Sequence, residues 1–309
     1  MAVDELRAAR DLKILLLGKD GQVGWELQRA LAPLGDVVAL GRNDGDLRAP
    51  DAVAATVRAV APQWIVNAAA YTAVDRAESE NDLAQLVNAS AVSALARVAN
   101  DLDAGLVHYS TDYVFDGSGT RPWREDDPTA PLGAYGRSKL AGEELLRATG
   151  CRHLILRASW VFAARGANFV RTMLRLAHER DALRVVADQV GAPTGAELIA
   201  DVTAHAIRST NSNSQLAGTY HVAAAGEASW HAVARRAIAR ARERGAPVRV
   251  ADDAIEAIPS AAYPLPARRP LNSRLDTSKL RTAFALTLPP WQAGVDRVVD
   301  ELTAPKEPT

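Results

Sequence analysis

Along its first half the chain alternates short apolar runs with longer segments whose apolar residues recur at helical spacing. Residues 13–17 (KILLL), 36–40 (DVVAL), 64–68 (WIVNA), 105–110 (GLVHYS) and 153–157 (HLILR) read as buried strands. Residues 24–34, 51–60, 83–102 and 135–148 read as the helices between them. Strands that are apolar throughout, rather than on alternate positions, imply a parallel sheet covered on both faces. The expected fold class is therefore α/β, with a Rossmann-like doubly wound parallel sheet.

After about Trp160 the rhythm loosens. A helix at 168–179 precedes the strand-like 183–187 (LRVVA). Another helix, 196–208, is expected to end in a polar surface loop at 209–215 (STNSNSQ). Residues 218–223 (GTYHVA) read as a strand returning to the main sheet, followed by a basic helix at 230–245 and a Pro-rich stretch at 259–270. This places a Rossmann domain at 12–160 and a smaller α/β, substrate-binding lobe mainly in 161–309.

Composition narrows the class without naming a chemistry. Apolar residues make up 48% and charged residues 24%, as in an ordinary globular protein. A net charge of -1 gives no reason to expect nucleic acid or an acidic membrane surface as partner. Cys151 is the single cysteine and has no internal disulfide partner, which fits a reducing compartment. Residues 1–11 are charged and lack the apolar core of a signal peptide, and no run approaches the roughly 20 apolar residues of a bilayer span. The expected location is the cytosol.

Chemistry enters at residues 18–24 (GKDGQVG), between the first strand and the first helix. Gly18, Gly21 and Gly24 allow a tight turn and close backbone approach to a pyrophosphate, which then sits on the helix N-terminus beside Gln22 and Val23. The second strand ends Leu40-Gly41-Arg42. An acidic residue there would grip a ribose 2′-hydroxyl, whereas an arginine suits a 2′-phosphate, so Arg42 leans the chain toward NADPH with NADH still possible. Asp46 and Leu47 follow in the same loop, at the expected adenine edge.

Thr111 ends the fourth strand, and Tyr135 and Lys139 lie one helical turn apart on one face of the next helix. Ligands of open parallel sheets sit at the carboxyl ends of strands. A phenol of pKa about 10 is a poor proton shuttle until a nearby ammonium lowers it. Lys139 is expected to do this for Tyr135 and to hold the nicotinamide ribose, while Thr111 steadies a carbonyl oxygen. Arg268 and Arg269 offer planar donors for phosphate oxygens. Asn168 is placed to cap its helix, whose N-terminus can face a phosphate. Asn67, Asn88 and His108 read as structural, and His178, His205, His221 and His231 show no metal-ligand spacing.

Taken together, these residues resemble the extended short-chain dehydrogenase/reductase family and, within it, the dTDP-4-dehydrorhamnose reductases. The narrower segments are HYSTDYVFDG at 108–117, DQVGAPTGAEL at 188–198 and ARRPLNSRLDTSKL at 267–280. The resemblance implies hydride transfer from NADPH or NADH to the C4 ketone of a dTDP-linked 4-dehydro-L-rhamnose, a precursor for polysaccharides. It implies Thr111, Tyr135 and Lys139 as catalytic residues and Asp112 and Trp160 as substrate contacts. It adds Ala70, Tyr71 and Thr72 to the cofactor contacts. Some members dimerise through magnesium, which would place Glu26, Glu197 and Glu301 at a metal of a homodimer. Two alternatives stay open: a nucleotide-sugar epimerase or dehydratase of the same superfamily, and a non-catalytic NADP-binding regulatory subunit. The dehydratase pattern of an acidic pair after the threonine is absent, because Asp112 is followed by Tyr113.

Overall fold

The computed structural model describes residues 12–304. Residues 1–11, expected to hold no signal peptide, and residues 305–309 lie outside the described residues. The chain runs β1 (Leu12–Leu17), α1 (Gln22–Leu31), β2 (Gly35–Leu40), α2 (Pro50–Val60), β3 (Trp64–Asn67) and α3 (Asn81–Gln85). A π-helical turn (Leu86–Ser90) leads into α4 (Ala91–Asp101), then β4 (Gly105–Thr111), α5 (Ala134–Ala148) and β5 (His153–Ala158). There follow β6 (Val161–Phe162), α6 (Phe169–Glu179), β7 (Leu183–Val186), β8 (Val190–Gly191), β9 (Thr194–Gly195) and α7 (Ala196–Ser212). The last elements are β10 (Gly218–Val222), β11 (Ala228–Ser229), α8 (Trp230–Glu243), β12 (Ile255–Ile258), β13 (Asn272–Ser273), α9 (Ser278–Phe284) and α10 (Trp291–Thr303).

Six strands form one parallel sheet in the order β2-β1-β3-β4-β5-β10. The reason is visible in β1, where successive side chains point to opposite faces. Ile14 and Leu16 pack with Leu27 and Leu31 of α1 and Ile199 of α7. Leu15 and Leu17 pack with Val57 of α2 and Leu95 of α4. All four β1 residues are fully buried, each contributing roughly 1.5–3 kcal/mol of apolar transfer. The apolar run is therefore what two helical layers require.

The strand order reverses between β1 and β3, which opens a crevice at their carboxyl ends. Leu17 pairs with Asn67, and Asn67 with His108. β4 then runs on to Thr111, opposite Ala158 of β5. This overhang lifts Thr111 to the rim of the sheet. The second half builds around α6, α8 and α10, with β7 paired to β12 and β8 between β11 and β13.

The strand expected at 218–223 does return to the sheet, as β10 beside β5. Two helical readings differ. The helix expected at 83–102 is interrupted by the π turn. The expected loop at 209–215 is helical as far as Ser212, because Thr210 is buried and the Asn211 side chain accepts from the Trp64 indole. Polarity there marks hydrogen-bonding partners rather than a loop. Helices α9 and α10 had no sequence expectation at all.

Candidate active site

The turn after β1 is built by close approach. Gly18 has φ +82°, and a Cβ on it would lie 2.7 Å from the Ala69 nitrogen. A Cβ on Gly24 would lie 2.0 Å from the Gly18 carbonyl oxygen. Gly21 caps α1 without a side-chain hydrogen bond, and the first turn of α1 holds no carboxylate. Its N–H groups therefore face the crevice without competition, which suits a phosphate.

At the end of β2, the Asp20 carboxylate occupies the space that a side chain on Gly41 would take. Arg42 is exposed and forms no ion pair among the described residues. Asp46 is spent on Arg48, whose hydrogen bonds hold its carboxyl below the usual range. Leu47 is buried in the core and has only backbone to offer the crevice.

Ala70, Tyr71 and Thr72 follow β3. Asn88, inside the π turn, accepts the Tyr71 N–H at 2.8 Å and donates to the Tyr71 carbonyl at 3.0 Å. It also donates to Ser138 Oγ on α5 at 3.0 Å. The structural reading of Asn88 thus becomes specific: it fastens the Tyr71 loop to the helix that carries Tyr135 and Lys139. π turns recur at functional sites. The Tyr71 phenol donates to Glu80 at 2.7 Å.

Thr111 Oγ1 donates to Asp112 Oδ1 at 3.1 Å and accepts the Tyr113 N–H at 3.2 Å. α5 comes close to this turn because residue 136 is glycine; a Cβ there would lie 2.2 Å from the Tyr113 carbonyl oxygen. Tyr135 meets the Tyr113 ring edge-on with centroids 5.8 Å apart. Burial, then the charge of Asp112, push the Tyr135 phenol above its ordinary value, and Thr111 offsets only part of this. Burial likewise lowers Lys139 to about 8, opposed by Glu143. The expected lowering of Tyr135 by Lys139 is thus not found in the free chain. Lys139 is itself desolvated, and its Nζ stands 3.2 Å from His108 Nε2.

Burial raises Asp112 to about 7, offset only in part by the Thr111 hydroxyl. Its Oδ2, Ser273 Oγ and Arg269 Nη1 are buried without a partner. Arg269 also pairs with Asp75 at 2.7 Å, and Arg268 is exposed. Trp160 has φ +50° and stacks on Trp230 with centroids 3.6 Å apart. Such strain in a tryptophan persists only where neighbours hold it. Asn168 caps α6 as expected by accepting the Arg171 N–H, and donates to Gln22 at 2.9 Å. Its side chain is therefore committed to joining the glycine turn to α6.

Burial chiefly, with a smaller contribution from the Glu26 charge, raises Glu197 above its ordinary value. Glu301 does not join them, and among the described residues no three His, Cys, Asp or Glu gather as a metal site. Residues the sequence reading passed over include His108, read as plain core, and Asp75, Trp230 and Ser273. Ser273 and His108 lie within the narrow 267–280 and 108–117 segments and could have been taken from them; the other two lie outside those segments.

The rim of β4 thus gathers two hydroxyl donors and a buried amine beside an uncapped helix N-terminus. That set can hold a dinucleotide and give a proton to a carbonyl oxygen. The model of a family described as the RmlD substrate binding domain matches residues 12–304. A dTDP-4-dehydrorhamnose reductase of Escherichia coli K12 is 54% identical over 295 residues, covering 94% of this chain and 98% of the relative. The crystal structure of a dTDP-4-dehydrorhamnose reductase of Bacillus anthracis in complex with NADP is 33% identical, with a TM-score of 0.85 over 94% of this chain and 99% of that one. An orthologue from Clostridium acetobutylicum is 34% identical, with a TM-score of 0.86 over 94% and 99%.

Proposed function

The chain belongs to the dTDP-4-dehydrorhamnose reductase family of nucleotide-sugar oxidoreductases, and we propose that it reduces the C4 ketone of dTDP-4-dehydro-L-rhamnose with NADPH. The observation that carries the reading is the close approach of the helix that carries Tyr135 and Lys139 to the turn that follows Thr111 at the carboxyl end of β4. Bound NADPH supplies the hydride at the ketone carbon. The chain supplies everything else. The N-terminus of α1, with Gly21, Gln22 and Val23, holds the diphosphate, and Arg42 meets a 2′-phosphate. The NADP complex of the Bacillus anthracis relative supports that choice of cofactor.

When substrate binds, the single Thr111 hydroxyl proton, given to Asp112 in the free chain, turns to the ketone oxygen and fixes its direction. Tyr135 gives that oxygen its proton as the alkoxide forms. The phenol is protonated at neutral pH before reaction, as a general acid requires. Lys139 holds the ribose and, when charged, favours the phenolate that remains. Asp112 and Ser273, with unpartnered buried oxygens, face the sugar hydroxyls, and Trp160 lies against the sugar ring. Arg269 directs its free Nη1 to a phosphate oxygen.

The test is NADPH consumption by the purified protein with dTDP-4-dehydro-L-rhamnose generated in situ. NADH and a UDP-linked ketosugar run in parallel. Rapid oxidation with the dTDP substrate, lost in Tyr135→Phe, is the expected result. No oxidation by a protein that binds NADPH sinks the proposal.

A further inference from the structure

His108 has no part in the reaction as described, yet it is buried against Lys139. It sits on β4, 1% exposed, with Nε2 3.2 Å from Lys139 Nζ. On its other side Nδ1 lies 3.4 Å from Asn67 Nδ2. Asn67 is the last residue of β3, also 1% exposed, and its Oδ1 accepts the Ala69 backbone N–H at 3.2 Å.

The donors and acceptors of this chain of contacts fix one another. A backbone N–H can only donate, so the Ala69 amide pins the oxygen of the Asn67 side chain. The amide nitrogen of Asn67 must then face His108, and it can only donate. Nδ1 of His108 therefore has to accept, and the proton of the neutral ring sits on Nε2. An Nε2–H pointing at Lys139 Nζ meets an acceptor only when Lys139 is a neutral amine. An ammonium in the same place would set donor against donor, or force the ring into its other tautomer against Asn67.

We propose that His108, held in one tautomer by Asn67, is a positioning residue that sets the charge of Lys139. The proposal rests on the reading of Lys139 as part of the catalytic machinery. The other groups facing Lys139 are few. Tyr135 and Glu143 lie on its own helix, and the Glu143 charge, which favours the ammonium, is shared with Arg157 of β5 and Arg147 of α5. Asp112 lies beyond Tyr135. Burial lowers both Lys139 and His108, in keeping with a neutral pair. The arrangement gives Lys139 two nearly balanced states at working pH. When the ammonium releases a proton to solvent, an Nζ–H bond breaks. The lone pair left on Nζ then accepts from Nε2–H, and a solvent proton restores the ammonium.

The chain has five lysines, so Lys139 can be followed by NMR in a full-length protein carrying 13Cε-lysine, with Lys139→Met identifying its signal. In the wild type, without cofactor or substrate, Lys139 should titrate at least one pH unit below the exposed lysines. His108→Gln can turn a carbonyl oxygen toward Nζ and accept from the ammonium, so the titration should rise by about one unit. Should that variant not fold, Asn67→Asp offers His108 Nδ1 an acceptor and should move Lys139 the same way. An unmoved Lys139 titration in the folded variant, or a wild-type value equal to that of the exposed lysines, overturns the proposal. Neither readout needs turnover, so failure of the reductase reading would appear separately, as absent NADPH consumption by the wild type.

Discussion

The Thr111 hydroxyl donates to the Asp112 carboxylate across 3.1 Å. The group at the rim of β4 is therefore aimed by its neighbour in sequence. In the free chain the same oxygen also accepts the Tyr113 N–H. The carboxyl that does the aiming is itself uncomfortable, since it is 2% exposed and its second oxygen has no partner.

That discomfort predicts a pH-dependent stability. Asp112 moves from 3.8 to about 7 on folding. Between those values the folded chain keeps a proton that the unfolded chain has released, so stability falls as pH rises through this window. The full effect is present below about pH 4 and gone above about pH 7. A three-unit shift corresponds to at most about 4 kcal/mol. Asp112→Asn should therefore be more stable than the wild type at pH 8 and no more stable at pH 4, in chemical denaturation at both values. Equal differences at the two pH values would show that the carboxyl is not the source.

Tyr135 and Lys139 should separate catalysis from binding. Tyr135→Phe removes only the phenolic proton, and loss of a general acid typically costs roughly 10²–10⁴-fold in rate. NADPH affinity should hardly change. Lys139→Ala should weaken turnover and NADPH binding together. Steady-state rates and a fluorescence titration of NADPH distinguish the two, and normal turnover by Tyr135→Phe would refute the proton donor.

How far the sequence revealed this site depends on the range of the interaction. The α/β class, the glycine turn and the Tyr135–Lys139 pair were legible because periodicity and i,i+4 spacing are local. Asn168 was legible as a helix cap for the same reason. The Asn67–His108–Lys139 contacts were not, since they join β3, β4 and α5, and nothing in the sequence places those residues side by side. The raised pKa of Tyr135 was hidden similarly: spacing shows that Lys139 lies one turn away, but not that burial and the Asp112 charge raise the phenol. α7 ran past its expected end because the partner of Asn211 is Trp64, far away in sequence.

Cofactor choice should depend on Arg42. It is exposed, lies just beyond β2 and has no ion pair among the described residues to lose. A hydrogen bond to a charged partner contributes about 1.5–3 kcal/mol. Arg42→Ser should therefore lower kcat/KM with NADPH by about tenfold or more and leave NADH nearly unchanged. Equal losses with both cofactors would place Arg42 outside the 2′-phosphate site.

Glu143 ties the same helix to the sheet. Arg157 donates to it through Nε at 2.9 Å and Nη2 at 2.7 Å, and both side chains are buried. Burial alone would raise the carboxyl, but the hydrogen bonds and charge of Arg157 outweigh it and leave it lowered from 4.5. This contribution is present above pH 4.5 and is lost as pH falls through the folded value. Removing one partner of a buried pair leaves the other charge stranded, at a cost of about 3–5 kcal/mol. Glu143→Gln should lose about that much stability at pH 7, whereas Glu143→Leu with Arg157→Met should recover most of it. Because the Glu143 charge opposes the lowering of Lys139, Glu143→Gln should also move the Lys139 titration further down. His108→Gln should move it up, so the two variants test the same balance from opposite sides.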